Sequence, residues 1–216
     1  MTTLDDCLFI GLDAAPTREL AASLHLDLVA PPPLRSAEGW SWSFADDITS
    51  FVATIDALPV ASNVVVCTWP EHVEPRALTD VTATTWVNDV ERSLALWYSV
   101  ITAAAERCAD GGAIAVVVER PAPVDTPGHT ITTTVAEGIA TLTRSVALVH
   151  GERGVRANTV TTAIATAPET LVGMAPALAT YPGTVSVEVA GAVRMVLGAD
   201  ADGVTGIVIH ADCGRS

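Results

Sequence analysis

The chain is expected to be an α/β domain of the doubly wound kind, a parallel sheet with helices on both faces. Three observations predict this. Short β-branched runs alternate with helix-length segments along the whole chain. The runs are continuously apolar, as in Val64-Val65-Val66 and Ile114-Ala115-Val116-Val117-Val118, which is the pattern of strands covered on both faces. The length, 216 residues, suits a single domain over 1–216.

The elements follow in order. Cys7-Leu8-Phe9-Ile10-Gly11-Leu12 is a strand that ends in glycine. Residues 16–24 form a helix with Pro16 in its first turn, where a missing N–H does no harm. His25 to Ala30 is a second strand, closed by Pro31-Pro32-Pro33. A Pro/Trp/Ser/Asp-rich connector covers 31–47, and Asp46 or Asp47 caps a helix over 48–58. Val64 to Val66 is a buried strand. A long helix is expected over 76–109, with Leu94, Trp97, Ile101 and Ala105 along one side. Ile114 to Val118 is a strand, and 131–150 a second long helix with Ile139, Leu142, Val146 and Val149 on one face. A strand over Val155–Val160, a loop over 165–183, a helix over Val187–Leu197 and a strand over Gly206–His210 complete the chain.

Composition excludes several functions. Half of the residues are apolar and the mean hydropathy is +0.42, ample for a buried core. The formal net charge is −14, which repels nucleic-acid phosphates and anionic lipid, so neither partner is expected. All 11 cations are arginine, so lysine chemistry is absent. Cys7, Cys67, Cys108 and Cys213 are scattered and read as buried free thiols of a reducing compartment. With no clustered ligands, no metal is expected. The start, Met1 to Asp6, is acidic and lacks the basic region of a signal peptide. No apolar run approaches the roughly 20 residues that span a bilayer. A cytoplasmic location is therefore the expectation.

One ordered set of motifs goes further. Gly111-Gly112 leads the strand that ends at Glu119, a helix carries Thr143-Arg144-Ser145-Val146-Ala147-Leu148, and Val155-Arg156-Ala157-Asn158 opens the next strand. Later come Val187-Glu188-Val189-Ala190, Val204-Thr205-Gly206 and Ile209-His210-Ala211-Asp212-Cys213-Gly214. This resembles the short-chain dehydrogenase/reductase family, most strongly over 110–160 and 184–214. The resemblance implies a Rossmann-like fold with a nicotinamide cofactor at the first turn and a Tyr-x-x-x-Lys acid–base pair.

At the functional positions the chain departs from that pattern. The family turn Thr-Gly-x-x-x-Gly-x-Gly lets backbone approach a pyrophosphate at a helix N-terminus. Here the turn keeps Gly11, places Ala15 and Thr17 where glycine is usual, and adds Asp13. The second strand ends Val29-Ala30-Pro31, which has no group to read a ribose. Cys67-Thr68-Trp69-Pro70 stands where the family has Asn-Asn-Ala-Gly, and Trp69 would fill cofactor space. The family's Asn, Ser, Tyr and Lys fall on Ser93, Glu119, Thr132 and Ala136. Asn88 reads as an exposed helix residue. Threonine carries no useful proton near neutral pH and alanine none at all. The resemblance thus implies a degenerate, pseudoenzyme-like member for which no cofactor, NAD(P) included, is expected.

Replacement chemistry has one candidate set. Glu119, Asp125 and His129 lie where the family builds its substrate pocket, and a carboxylate with an imidazole could move protons there. The competing reading makes 121–129 a solvated loop, with Arg120 pairing Glu119. His150 and Arg153 suit a helix C-terminus, and His210 a local hydrogen bond.

Three functional readings follow. The first is an inactive subunit that pairs with itself or with an active short-chain dehydrogenase through helices near 86–108 and 131–150. Leu94, Leu96, Trp97, Tyr98 and Ile101 would supply one face, and Ile139, Leu142, Val146, Leu148 and Val149 the other. The second is a non-redox lyase, isomerase or cyclase that uses Glu119 and His129. The third is a small-molecule binding module in the vacated cleft, which Trp69, Trp40 and Trp42 could instead fill.

Overall fold

Strand β1 (Cys7–Gly11) is the point from which the chain winds in two directions. The computed structural model describes residue 4 and residues 6–31, 42–70, 74–121, 127–167 and 180–213. After β1 come helix α1 (Ala15–Leu24), β2 (Leu28–Val29), α2 (Trp42–Asp56) and β3 (Ala61–Cys67). Then follow α3 (Ala83–Trp86), α4 (Arg92–Glu106), β4 (Cys108–Glu119), α5 (Thr130–Val149), β5 (Arg156–Thr162), α6 (Ala190–Leu197) and β6 (Val208–His210). The strands form one parallel sheet in the order β2-β1-β3-β4-β5-β6. The α/β doubly wound class expected from the sequence is the observed one.

The order reverses between β1 and β3, where Ile10 pairs with Val66 and Gly11 with Cys67. Such a reversal opens a crevice at the carboxyl ends of the strands. Both faces of the sheet are covered, which is why the strands carry unbroken apolar runs. Ile10, Val64, Val66, Ile114, Val116 and Val118 face the core under α2, α4 and α5. Phe9, Val65, Cys67, Ala115, Val117 and Val160 face the other core under α1 and α6. Leu96, Trp97, Ile101 and Ile139 turn into the first core, whereas Tyr98, Leu148 and Val149 stay exposed. At the α4–α5 contact a Cβ on Gly138 would come within 2.6 Å of Leu94 Cδ2, so the leucine side chain would have to turn aside to admit one.

Two expected elements differ. Helix α2 already includes Trp42, so Asp46 and Asp47 lie inside it rather than at its cap; the Asp47 side chain is buried. The single helix expected over 76–109 is divided. Leu78–Asp80 is a 3₁₀ turn, and Thr82 then starts α3 by accepting the Thr85 N–H at 3.1 Å. Val87–Glu91 is a π-turn before α4. A π-turn inserts a residue and re-aims the side chains after it, commonly beside a site. Most of the loop expected over 165–183 lies outside the described residues.

Strand β5 is buried throughout and needs its polar groups satisfied. Arg156 donates to the carbonyls of Val196 and Gly198 at 2.8 and 3.2 Å, closing the carboxyl end of α6. Asn158 donates to Val204 O at 2.8 Å and accepts from Ile207 N at 3.3 Å, fixing the turn before β6. The Asn158→Ala variant removes the partner of the Val204 carbonyl and the Ile207 N–H, both only partly buried, and is expected to lose about 1 kcal/mol of stability. Urea denaturation measures that loss.

Candidate functional site

The carboxyl ends of β1, β3 and β4 open on a cavity of about 480 Å³, a volume typical of small-molecule sites. Leu12 follows β1, Thr68 and Pro70 follow β3, and Val118 and Glu119 end β4. Helix α4 contributes Arg92, Ser93, Leu96 and Trp97; α5 contributes Thr132, Val135, Ala136 and Ile139. Thr132 and Ala136 are four apart and so share a helix face. The four positions Ser93, Glu119, Thr132 and Ala136 therefore line a single pocket.

Asn88 departs from its expected place. It lies on the π-turn, is half-buried, and lines the pocket with Asp89. The register shift of the π-turn brings it there, and simple helical periodicity misses it. Across the rim Asp89 meets Arg76 at 3.5 Å. Arg92 lies 4.1 Å above the ring of Phe44, another lining residue.

Glu119 is 2% exposed. Its Oε2 accepts the indole N–H of Trp69 at 3.0 Å. Its Oε1 accepts the backbone N–H of Thr166 at 2.9 Å and the Thr166 hydroxyl at 2.7 Å. Burial pushes the carboxyl up to about 7, against the opposing pull of the hydrogen bonds from Thr166, Ala165 and Trp69. Arg120 does not pair with Glu119; its Nε meets Glu137 Oε1 at 2.9 Å on α5. Thr166 lies 47 residues from Glu119, and no motif in the sequence announces this partner.

His129 precedes α5 and is buried, but it is not among the residues that line the pocket. Its Nδ1 has no hydrogen-bond partner among the described residues. Burial holds the imidazole below its usual value, which favours the neutral ring. Asp125 lies outside the described residues. His210 takes the local bond expected of it, with Thr161 Oγ1 2.8 Å from Nδ1. Arg153 packs beneath α5, 3.0 Å from His150 Nδ1 and 2.8 Å from Asp110.

The positions singled out for a cofactor form a tight knot at the β1–β3 crevice. A Cβ on Gly11 would meet Cys67 O at 2.9 Å and Thr17 Cγ2 at 3.0 Å. Thr17 is fully buried, and the Cys67 thiol points to its hydroxyl at 3.7 Å. Burial pushes that thiol up to about 12, which makes it inert. Trp69 is wholly buried in the core under α1 and α6. Ala15 is exposed at the start of α1, whose cap residue Ala14 makes no side-chain bond. First-turn amides there remain for an anion, although Pro16 removes one. Asp13 adds a carboxylate, paired with Arg18. Among the described residues a pyrophosphate would fit at this helix terminus.

Comparison with known proteins supports the fold. No family model matches the sequence, and no curated protein matches it. A short-chain type dehydrogenase/reductase from Mycobacterium ulcerans superposes with a TM-score of 0.70 at 17% identity, over 100% of this chain and 91% of that one. A blue fluorescent protein from a metagenomic library, in complex with NADPH, gives 0.69 at 19% identity over 100% of both chains. An enoyl-(acyl-carrier-protein) reductase from Anaplasma phagocytophilum, in complex with NAD, gives 0.64 at 13% identity over 99% and 94%. The resemblance to short-chain dehydrogenases thus holds as a Rossmann-like fold. The expectation that no cofactor applies, NAD(P) included, is corrected. Neighbours of this fold hold NAD or NADPH, so the fold is one that binds nucleotide cofactors. The turn lacks the family's second and third glycines, whereas the sheet order that forms the crevice is intact. Among the described residues no helix is long and apolar enough to cross a membrane.

Glu119 generates a pH prediction. Its folded value is raised to about 7 from 4.5, so between those values the folded chain holds a proton that the unfolded chain releases. Stability is then greatest at the acid end and falls as pH rises through about 7. The Glu119→Gln variant is expected to lose that slope. It also sets an amide N–H₂ against the Trp69 N–H, costing about 1–3 kcal/mol. Denaturation curves between pH 5 and 8 measure both effects.

Proposed function

We propose that this chain is a dehydrogenase-like subunit without the acid–base pair of hydride transfer, which acts by assembling with itself or with an active short-chain dehydrogenase. One observation carries the reading. The pocket at the carboxyl edge is lined by Ser93, Glu119, Thr132 and Ala136, and the carboxylate among them is tied to Trp69 and Thr166. Proton transfer to a carbonyl oxygen needs an ionisable group aimed at it, and neither Thr132 nor Ala136 is one. The reading concerns the proton relay and not the nucleotide. A nucleotide held in the β1–β3 crevice would meet the uncapped start of α1, with Thr132 and Ala136 standing in the pocket where the family has tyrosine and lysine.

Assembly is supported by the residues that α4 and α5 leave outside. Leu148 is 82% exposed, Val149 72% and Tyr98 58%. These residues lie on the two neighbouring helices α4 and α5, and an apolar patch left outside on such helices is the kind of surface that a partner covers. Leu96, Trp97, Ile101 and Ile139, which the sequence also assigns to that surface, serve the chain's own core.

A second reading, a non-redox enzyme of the lyase, isomerase or cyclase type, is favoured by one observation: Glu119 lines the pocket with a carboxyl near 7. Such a group can both give and take a proton at neutral pH. In this reading Glu119 acts without His129 in the pocket lining. Turnover of a neutral substrate that disappears in Glu119→Gln would establish it.

Sedimentation and co-expression test the leading reading. The chain is expected to sediment as a dimer or larger, or to co-purify with an active short-chain dehydrogenase. Leu148→Glu is expected to shift it toward monomer while changing the monomer's own stability by less than about 0.5 kcal/mol. A monomer that ignores active relatives, or turnover of NADH or NADPH with a carbonyl substrate, would overturn the reading.

A further inference from the structure

We propose that the exposed face of α4 and α5 pairs with a second copy of this chain, about a two-fold axis beside Leu148 that sets Arg144 of each copy against Glu106 of the other. The inference rests on the assembly reading above and adds the partner and the pairing residues.

Charge selects the face. The chain carries a net −14, so two copies repel one another over much of their surfaces. Helices α4 and α5 carry none of that excess. Their charged residues are Arg92, Glu106, Glu137 and Arg144, two of each sign. Contact along these helices therefore meets little repulsion, and at physiological salt more distant charges are screened beyond roughly 8 Å.

Two of the four charges are open to a partner. Arg144 is exposed and has no hydrogen bond or ion pair among the described residues. The other described arginines each meet a carboxylate, a carbonyl or, for Arg92, the Phe44 ring. Glu137 is taken by Arg120. Glu106 is exposed, and its ionic neighbour among the described residues is the edge of the His150 ring, with Nε2 at 3.9 Å. A two-fold contact needs a cation and an anion on one face, because the same patch must supply both halves of every pair. This face holds both, which favours a second copy over a different chain.

The helix register makes the pairing geometrically consistent. Leu94 sits against Gly138 and Glu106 against His150; both pairs are 44 residues apart, so α4 and α5 run side by side in step and in the same direction. Glu106 is then level with a residue six places beyond Arg144, about 9 Å along the axis at roughly 1.5 Å per residue. The midpoint lies beside Leu148. A two-fold axis there turns the second copy antiparallel, and brings its Glu106 to the level of Arg144 and its Arg144 to the level of Glu106. Leu148 and Val149, the most exposed large apolar side chains among the described residues, then meet their counterparts at the centre. Arg144 and Leu148 are four apart and so share a helix side, as do Tyr98, Thr102 and Glu106 in turn. An apolar centre with a matched charge pair on each flank has the layout of a specific interface.

Sedimentation velocity of the full chain at pH 7.5 tests the proposal. The chain is expected to be a dimer. Arg144→Glu and Glu106→Arg are each expected to raise the dissociation constant at least about tenfold, equal to about 1.4 kcal/mol, because each reversal sets like charges together twice per dimer. An equimolar mixture of the two variants is expected to dimerise about as tightly as the parent, since both flanks then hold opposite charges. Circular dichroism checks that each variant is folded; should a reversal fail to fold, Arg144→Gln and Glu106→Gln decide, each expected to raise the dissociation constant about threefold. A dimer indifferent to both substitutions, or a mixture no tighter than either variant alone, would overturn the pairing and leave the assembly reading standing. A monomer that co-purifies with an active short-chain dehydrogenase would overturn self-pairing alone. A monomer that ignores active relatives would overturn the assembly reading, and the pairing with it.

Discussion

The buried carboxylate of Glu119 joins three parts of the sheet's carboxyl edge that are remote in sequence. It ends β4, receives Trp69 from the segment after β3, and receives Thr166 from the turn after β5. Such a group costs free energy to bury unless its lone pairs are filled. Here donors from Trp69, Ala165 and Thr166 fill them, and the residual penalty raises its affinity for a proton. That arrangement ties Trp69 and the turn at Thr166 to the end of β4. Removing the carboxylate would leave an indole N–H and a backbone N–H buried without acceptors.

The site therefore looks inward. In a proton-transfer pocket an ionisable group is held by its neighbours yet aimed at the ligand. In this pocket the charged groups engage one another or the protein around them, and the hydroxyls of Ser93 and Thr132 are what remains open. The same economy governs the β1–β3 crevice, where Gly11 is needed for the close packing of Thr17 and Cys67. A glycine in that turn serves the fold whether or not a nucleotide lies above it. The sheet order preserves the place where nucleotides bind in proteins of this fold, while the side chains around it serve internal packing.

Much of the fold was legible because it rests on local pattern. β-Branched runs announced β3 and β4, and the helical spacing of Ile139 and Val146 announced α5. The α3–α4 region was misread because hydrophobic periodicity continues across the π-turn at Val87–Glu91, and periodicity alone does not register an inserted residue. Asn88 was misplaced for that reason. The helix start near Asp46 was misread because an acid within a helix and an acid at its cap look alike in sequence. The composition of the pocket was legible at Ser93, Glu119, Thr132 and Ala136, through resemblance to a known family. Its bonding was not: the Glu119–Thr166 contact is fixed by the packing of β4 against β5, and the pairing of Arg120 with Glu137 follows from where α5 lies. The cofactor question was misjudged from side chains when sheet order was the relevant feature.

Carbon NMR of the labelled Glu119 side chain tests directly whether it is a structural acceptor with a neutral-range carboxyl. A titration midpoint near 7 is expected, accompanied by a shift of the Trp69 indole N–H resonance over the same pH range. A carboxyl that titrates near 4 to 5, as exposed glutamates do, while the Trp69 resonance stays fixed, would contradict it.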